Sequence, residues 1–247
     1  MSIRKKILAI SIGPVLVLGV ITLLFMLTMV KSSLMDEVQD ALKGTAAATL
    51  AAYDQNTGDY LESTNGDIWK GSYNISKSES LVDRIKENTG MDVTFFYGNK
   101  RIMTSALDKK GNRILGSEAG ERVVNQVIKG KKPFFSTNVS LDGTRNYGYF
   151  IPVYQNGTTD QVIGMVFVGT NKARKDAIVN KILGSIMMAL LVVMLLCIVT
   201  AMRMAASISK NIKNSVAVVG KLADGDLNVW VDEKLLKRKD EIGDLSR

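Results

Sequence analysis

Two long uncharged runs divide the chain. Residues 7–30 carry no charge over 24 positions, and residues 182–202 carry none over 21. A helix gains about 1.5 Å per residue, so about 20 apolar residues cross the ~30 Å hydrocarbon layer of a bilayer. Both runs are therefore predicted to be transmembrane helices. Residues 1–6 precede them as a short basic tail, residues 31–181 lie between them as a domain-sized polar segment, and residues 203–247 follow.

Within 31–181 the hydrophobic period changes from helical to alternating. Leu34, Val38, Ala41, Thr45, Ala48 and Ala52 recur at steps of four and three, the spacing of a coiled-coil seam. This predicts a long helix that packs on its own domain and pairs with a second copy. Gly58–Gly71 is rich in turn formers, including Asn65-Gly66, and reads as loop. Ser76-Lys77-Ser78-Glu79 fits a capping box opening a short helix with Leu81, Val82 and Ile85 on one side and Gly90 at its end. Val93–Tyr97 and Arg101–Ser105 flank Gly98-Asn99 as a hairpin. A second short helix is expected over Ser117–Lys129, with Ala119, Val123, Val127 and Ile128 together. Phe134–Leu141, Thr144–Tyr154 and Val162–Val168 then read as three antiparallel strands joined at Asp142-Gly143 and Asn156-Gly157. The predicted fold class is a membrane α+β protein: a long helix, then a five-stranded antiparallel sheet half covered by helices, between two transmembrane helices. Beyond the second run, Ile208, Ile212, Ser215, Val219 and Leu222 repeat the four–three spacing, a parallel seam with one polar position.

Composition narrows the chemistry. The net charge of +8 divides into +3 at the N-terminus, +3 in 31–181 and +2 in 203–247, without a long basic block. That is a mixed solvated surface and not a nucleic-acid footprint. The chain has no histidine and one cysteine, Cys197, inside the second apolar run. An intramolecular disulfide, the usual zinc ligand sets and Ser-His or Cys-His nucleophiles cannot be assembled from it. No metal, no cofactor and no enzymatic activity are expected. Arg4, Lys5 and Lys6 before the first run favour a cytoplasmic N-terminus. The run is longer than a signal-peptide core and no small-residue cleavage site follows it, so an uncleaved helix is expected. Residues 31–181 then lie outside the cell and 203–247 inside, in a multi-pass protein of the plasma membrane.

Several stretches carry a family resemblance. Met91–Gly98 with Lys100–Ser105, Gly111–Ser117, and Tyr147–Val153 with Val162–Gly169 resemble the first hairpin, the linker and the last hairpin of the PAS-like single-Cache sensor domain. Asp224-Gly225-Asp226-Leu227 and Asp240-Glu241-Ile242-Gly243-Asp244-Leu245 resemble the connector and second-helix start of a HAMP linker, with Asn211 where that family usually has a proline. Span, Cache, span and HAMP in that order are similar to the front of a bacterial methyl-accepting chemotaxis receptor. The partial HAMP pair stops as its second helix begins, so the sequence is expected to be a fragment or a natural truncation lacking the signalling rod and methylation helices.

The resemblance implies a dimer that binds a small molecule outside, often an organic acid or amino acid, and signals to a cytoplasmic chemotaxis kinase and adaptor through the region after Arg247. It implies a ligand site on one face of the sheet. Alternation places Arg145, Tyr147, Tyr149, Ile151 and Val153 on one face, and Arg101 lies on the neighbouring hairpin. A guanidinium beside tyrosine hydroxyls suits a carboxylate. The candidate ligand residues are Arg101, Tyr147 and Tyr149, with Thr94, Phe96 and Thr104 behind them; each also has an ordinary reading as core or as a structural ion pair. Gly225, Asp226, Leu227, Glu241 and Gly243 are the implied relay positions. Three other readings stay open: the input half of a sensor histidine kinase or nucleotide cyclase, a ligand-free membrane anchor, and a membrane-surface tail for 203–247.

Overall fold

The computed structural model of the chain describes residues 3–225 and Gly243. These fall into two compact units, one running from Val30 to Lys181, the other holding the residues before Val30 and after Lys181. In the second unit the helix α1 (Ile3–Phe25) contains Pro14 and is followed by a π turn at Met26–Val30. The helix α5 (Lys172–Ala223) continues through the second apolar run. Both are long and apolar enough to cross a membrane. Their apolar side chains lie largely uncovered, with Ile10, Leu18 and Leu196 among the most exposed, which separates them from the core helices of a soluble domain. Gly225, φ +84°, follows the end of α5, and its N–H is bonded to the Leu222 carbonyl 3.1 Å away. That is a left-handed helix stop. Gly243 is helical. Asp226, Leu227 and Glu241 lie outside the described residues.

The first unit opens with α2 (Lys31–Asp54), which buries Val38, Leu42, Ala46, Thr49 and Tyr53. Those spacings of four, four, three and four define one helical face. Of the expected seam only Val38 belongs to it, and Ala41 and Ala48 stay exposed on another side of the helix. Gly58–Gly71 is more ordered than its turn formers suggest: β1 (Tyr60–Glu62), β2 (Ile68–Lys70) and β3 (Tyr73–Asn74) make a small antiparallel sheet. The capping box is displaced. Ile75–Lys77 is a 3-10 turn and α3 spans Glu79–Thr89, with Ser78 at its N-cap. The Ser76 hydroxyl accepts from the Ile68 N–H instead, at 2.9 Å, so cross-linking to β2 outcompetes local capping. Gly90 ends α3 in the left-handed conformation, as its position predicts.

The main sheet contains β4 (Asp92–Tyr97), β5 (Lys100–Thr104), β6 (Phe134–Leu141), β7 (Thr144–Tyr154) and β8 (Val162–Asn171), all antiparallel, in the order β5-β4-β8-β7-β6. The five strands follow the expected hairpins. The second short helix is shorter than its pattern: α4 covers Glu121–Val123 and passes into a π segment at Val124–Lys129. Residues 117–119 instead run along β5, where the Arg101 N–H donates to the Ser117 carbonyl and the Ala119 N–H to the Asn99 carbonyl.

Each sheet face has its own apolar cluster. On one, Val93, Phe95, Tyr147, Tyr149, Val166 and Val168 pack with the buried stripe of α2 and with α3. On the other, Phe96, Phe150, Met165 and Phe167 pack with Leu141 and with Val127 of the π segment. Burial on both faces explains the nearly continuous apolar runs of the central strands.

Candidate ligand site

The second face holds a cavity of about 490 Å³, within the size range of small-molecule sites. Its floor is aromatic. Phe150 and Phe167 meet at 4.8 Å between ring centroids, and Phe96 and Phe134 stand at the sides. A glycine pair makes room for the Phe167 ring. Gly148 and Gly169 are partners across β7 and β8, and the Phe167 ring occupies the space that side chains there would need. A Cβ on Gly148 would stand 2.5 Å from Phe167 Cε2 and 2.8 Å from Val139 Cγ2, and one on Gly169 would collide with Phe167 Cζ.

Arg101 reaches this cavity because β5 is bulged. Phe95 pairs with Met103, but Phe96 pairs with Arg101, so one residue is inserted into β5. Strict alternation would put Arg101 on the face of Met103, under α2; the extra residue turns it to the face of Phe96. Its guanidinium carbon lies 5.4 Å from the Phe96 ring centroid, and Nη1 donates to the Ile114 carbonyl at 3.3 Å. Arg101 is 8% exposed, and its buried Nε has no hydrogen-bond partner. Among the described residues no ion pair involves Arg101, or the other charged lining residues Arg122 and Glu118. Burial lowers the Arg101 pKa, with the Asp92 carboxylate opposing that shift. A buried, under-bonded cation is costly unless an acceptor arrives to complete it. The arrangement suits a small anion with an apolar body.

A second bulge shapes the opposite wall. Ser136 pairs with Gly148 and Val139 with Asn146, so β6 carries one extra residue at Thr137 and Asn138, all four β6 residues lining the cavity.

The remaining expected site residues divide between the faces. Phe96 lines the cavity with Arg101. Thr94 and Thr104 share its face but bond to each other, their hydroxyl oxygens 2.7 Å apart, and they lie outside the lining. Tyr147 and Tyr149 do share a face, as alternation requires, but it is the one under α2. The Tyr147 hydroxyl donates to Asp176 Oδ1 at 2.5 Å, and its ring stacks on Phe135. Sequence reasoning missed the β6 wall, Phe150, Phe167 and Arg122. Phe134 and Phe150 were visible as aromatics, but only the register shows which face they occupy.

Residues 73–182 match the protein family described as single Cache domain 3. Among solved structures, the chain is similar to an extracellular ligand binding receptor from Desulfohalobium retbaense DSM5692, at 16% identity and a TM-score of 0.41, over 60% of this chain and 25% of that one. It is also similar to a structure named methyl-accepting chemotaxis protein X, at 16% identity and a TM-score of 0.34, over 60% of this chain and 64% of that one. The chain thus spans a quarter of the first of these and under two thirds of the second. No curated protein matches the chain.

Proposed function

We propose that this protein is the sensory front of a transmembrane chemoreceptor, because residues 73–182 match the single Cache domain family and lie between two helices able to cross a membrane. The domain lies outside the cell and takes a small carboxylate, an organic acid or amino acid, into the cavity on its second face. The observation that carries this reading is Arg101, a buried guanidinium with an unpartnered Nε beside the aromatic floor of the cavity. A carboxylate supplies two acceptors to the planar guanidinium, while the aromatic floor takes the apolar part of the ligand.

The N-terminus is cytoplasmic, the receptor is a homodimer, and residues 203–247 serve as a partial HAMP linker toward a chemotaxis kinase and adaptor. Positive charge before α1 supports the orientation, and the exposed Ala41 and Ala48 on α2 leave a helix side open to a second copy. Ligand binding favours one of two receptor states, by no more than its difference in affinity for them.

The test is thermal unfolding of the full chain in lipid nanodiscs against a panel of small carboxylates and amino acids. A ligand at a hundred times its Kd stabilises the bound state by about 2.7 kcal/mol, equivalent to a rise of roughly 5–10 °C for a domain of this size. A panel without any shift refutes the sensor reading. A shift that survives Arg101→Ala refutes the site.

A further inference from the structure

We propose that the cavity wall formed by the β6 bulge is coupled to α5 through Lys172 and Asp176, which act as positioning residues for that wall. At the bulge the ladder to β7 is interrupted, so the local backbone groups need other partners. One comes from α5: Lys172 Nζ donates to the Thr137 carbonyl at 3.1 Å. β6 is an edge strand, so no further strand restrains the bulge from its outer side.

The second connection runs through a ring. Phe135, which also lines the cavity, stacks on Tyr147 at 6.3 Å with the planes 10° apart. Tyr147 donates to Asp176, and Lys172 Nζ sits 5.1 Å from the centroid of the Tyr147 ring. Lys172 and Asp176 are four residues apart and therefore share one face of α5. That face holds the bulge by one bond and the stacked ring by another. A shift of the first turns of α5 changes the partners of Thr137 and Phe135 together. By linkage, a change in the wall biases α5 to the same extent.

The functional meaning rests on the cavity being the ligand site, but the coupling is measurable without a ligand. The experiment is amide hydrogen exchange on the full chain in nanodiscs, comparing wild type with Lys172→Met, Tyr147→Phe and Phe135→Ala. Losing one such contact is expected to speed exchange at 136–139 by roughly 5–10-fold for Lys172→Met and Tyr147→Phe. The β4–β5 hairpin keeps its wild-type rate, and Lys172→Arg restores slow exchange. Phe135→Ala is expected to speed exchange at 176–180, the reciprocal effect. Wild-type rates at 136–139 in both α5-facing variants overturn the proposal. So does a uniform rise that includes the β4–β5 hairpin, because that is general destabilisation. A carboxylate panel without a thermal shift would refute the sensor reading while leaving this result fully readable.

Discussion

Replacing Arg101 by methionine should leave the unliganded protein as stable as wild type or more so. The side chain now makes one long hydrogen bond, Nη1 to the Ile114 carbonyl at 3.3 Å, and one ring contact with Phe96 at 5.4 Å. Bonds of that quality contribute about 0.5–1.5 kcal/mol, and a buried cation–π contact about 2 kcal/mol. Against them stand the buried unpartnered Nε, costing about 1–3 kcal/mol, and the burial of a charge without a counter-ion. Methionine keeps most of the length, fills irregular space and buries no polar atom. The balance is a gain on the order of 1 kcal/mol, or about 2–4 °C in Tm for a domain of this length. Scanning fluorimetry of the full chain in nanodiscs reads it, and the same samples should lose any carboxylate-induced shift. A fall in Tm of that size, with the carboxylate shift retained, would show that Arg101 is a structural group and that the case for an anion site is wrong.

Two further outcomes follow from the same geometry. Gly148→Ala places a methyl group 2.5 Å from Phe167 Cε2 and must push the ring toward the cavity, so it should cost about 1–3 kcal/mol and weaken long ligands more than short ones; calorimetric titration with a series of straight-chain carboxylates checks this, and equal losses along the series would refute it. Arg113 donates to both oxygens of Asp83, at 2.9 and 2.6 Å, and these bonds hold the Asp83 carboxyl below the usual carboxylate range. The stabilisation is present above the unfolded pKa of about 3.9 and is lost as pH falls through the lower folded value. With Asp83 42% exposed the pair contributes at most about 1 kcal/mol, and Asp83→Asn should flatten the acid limb of Tm against pH below about pH 4 while leaving its slope near neutrality unchanged.

Much of the fold was legible because the signals were local. The spans are read from length and charge, and the strands from alternation closed by Asp142-Gly143 and Asn156-Gly157. The small sheet at 60–74 was hidden by the turn formers that connect its strands. Ser76 looked like an N-cap because nothing nearby in sequence competes for its hydroxyl; the competitor is the Ile68 amide, presented by β2. The site was legible only in part, and for one reason. Alternation correctly groups Tyr147 with Tyr149 but cannot say which face receives α2 and which keeps the cavity, since both faces are apolar. Arg101 was expected beside the two tyrosines, but one inserted residue in β5 puts it on the opposite face from both. Neither bulge has a glycine at the inserted position, Ile102 in β5 or Thr137 and Asn138 in β6, so neither is marked in the sequence.

The same two bulges also explain why one sheet can be both a stable scaffold and a responsive wall. The face under α2 is closely packed, and its residues Val93, Phe95, Val166 and Val168 are fully buried. The other face is interrupted where β5 turns a cation inward and where the β6 edge gives up its ladder. β8 serves both, sending Val166 and Val168 one way and Met165 and Phe167 the other, and it leads directly into α5. Under the proposed coupling, occupancy is felt at α5 through that strand and through the Lys172 and Asp176 contacts. Each such contact contributes roughly 1–1.5 kcal/mol, whereas moving a two-state equilibrium from 1:99 to 99:1 takes about 5.5 kcal/mol. The pair therefore biases α5 by a graded amount and does not lock it, so a full switch needs the β8 connection as well.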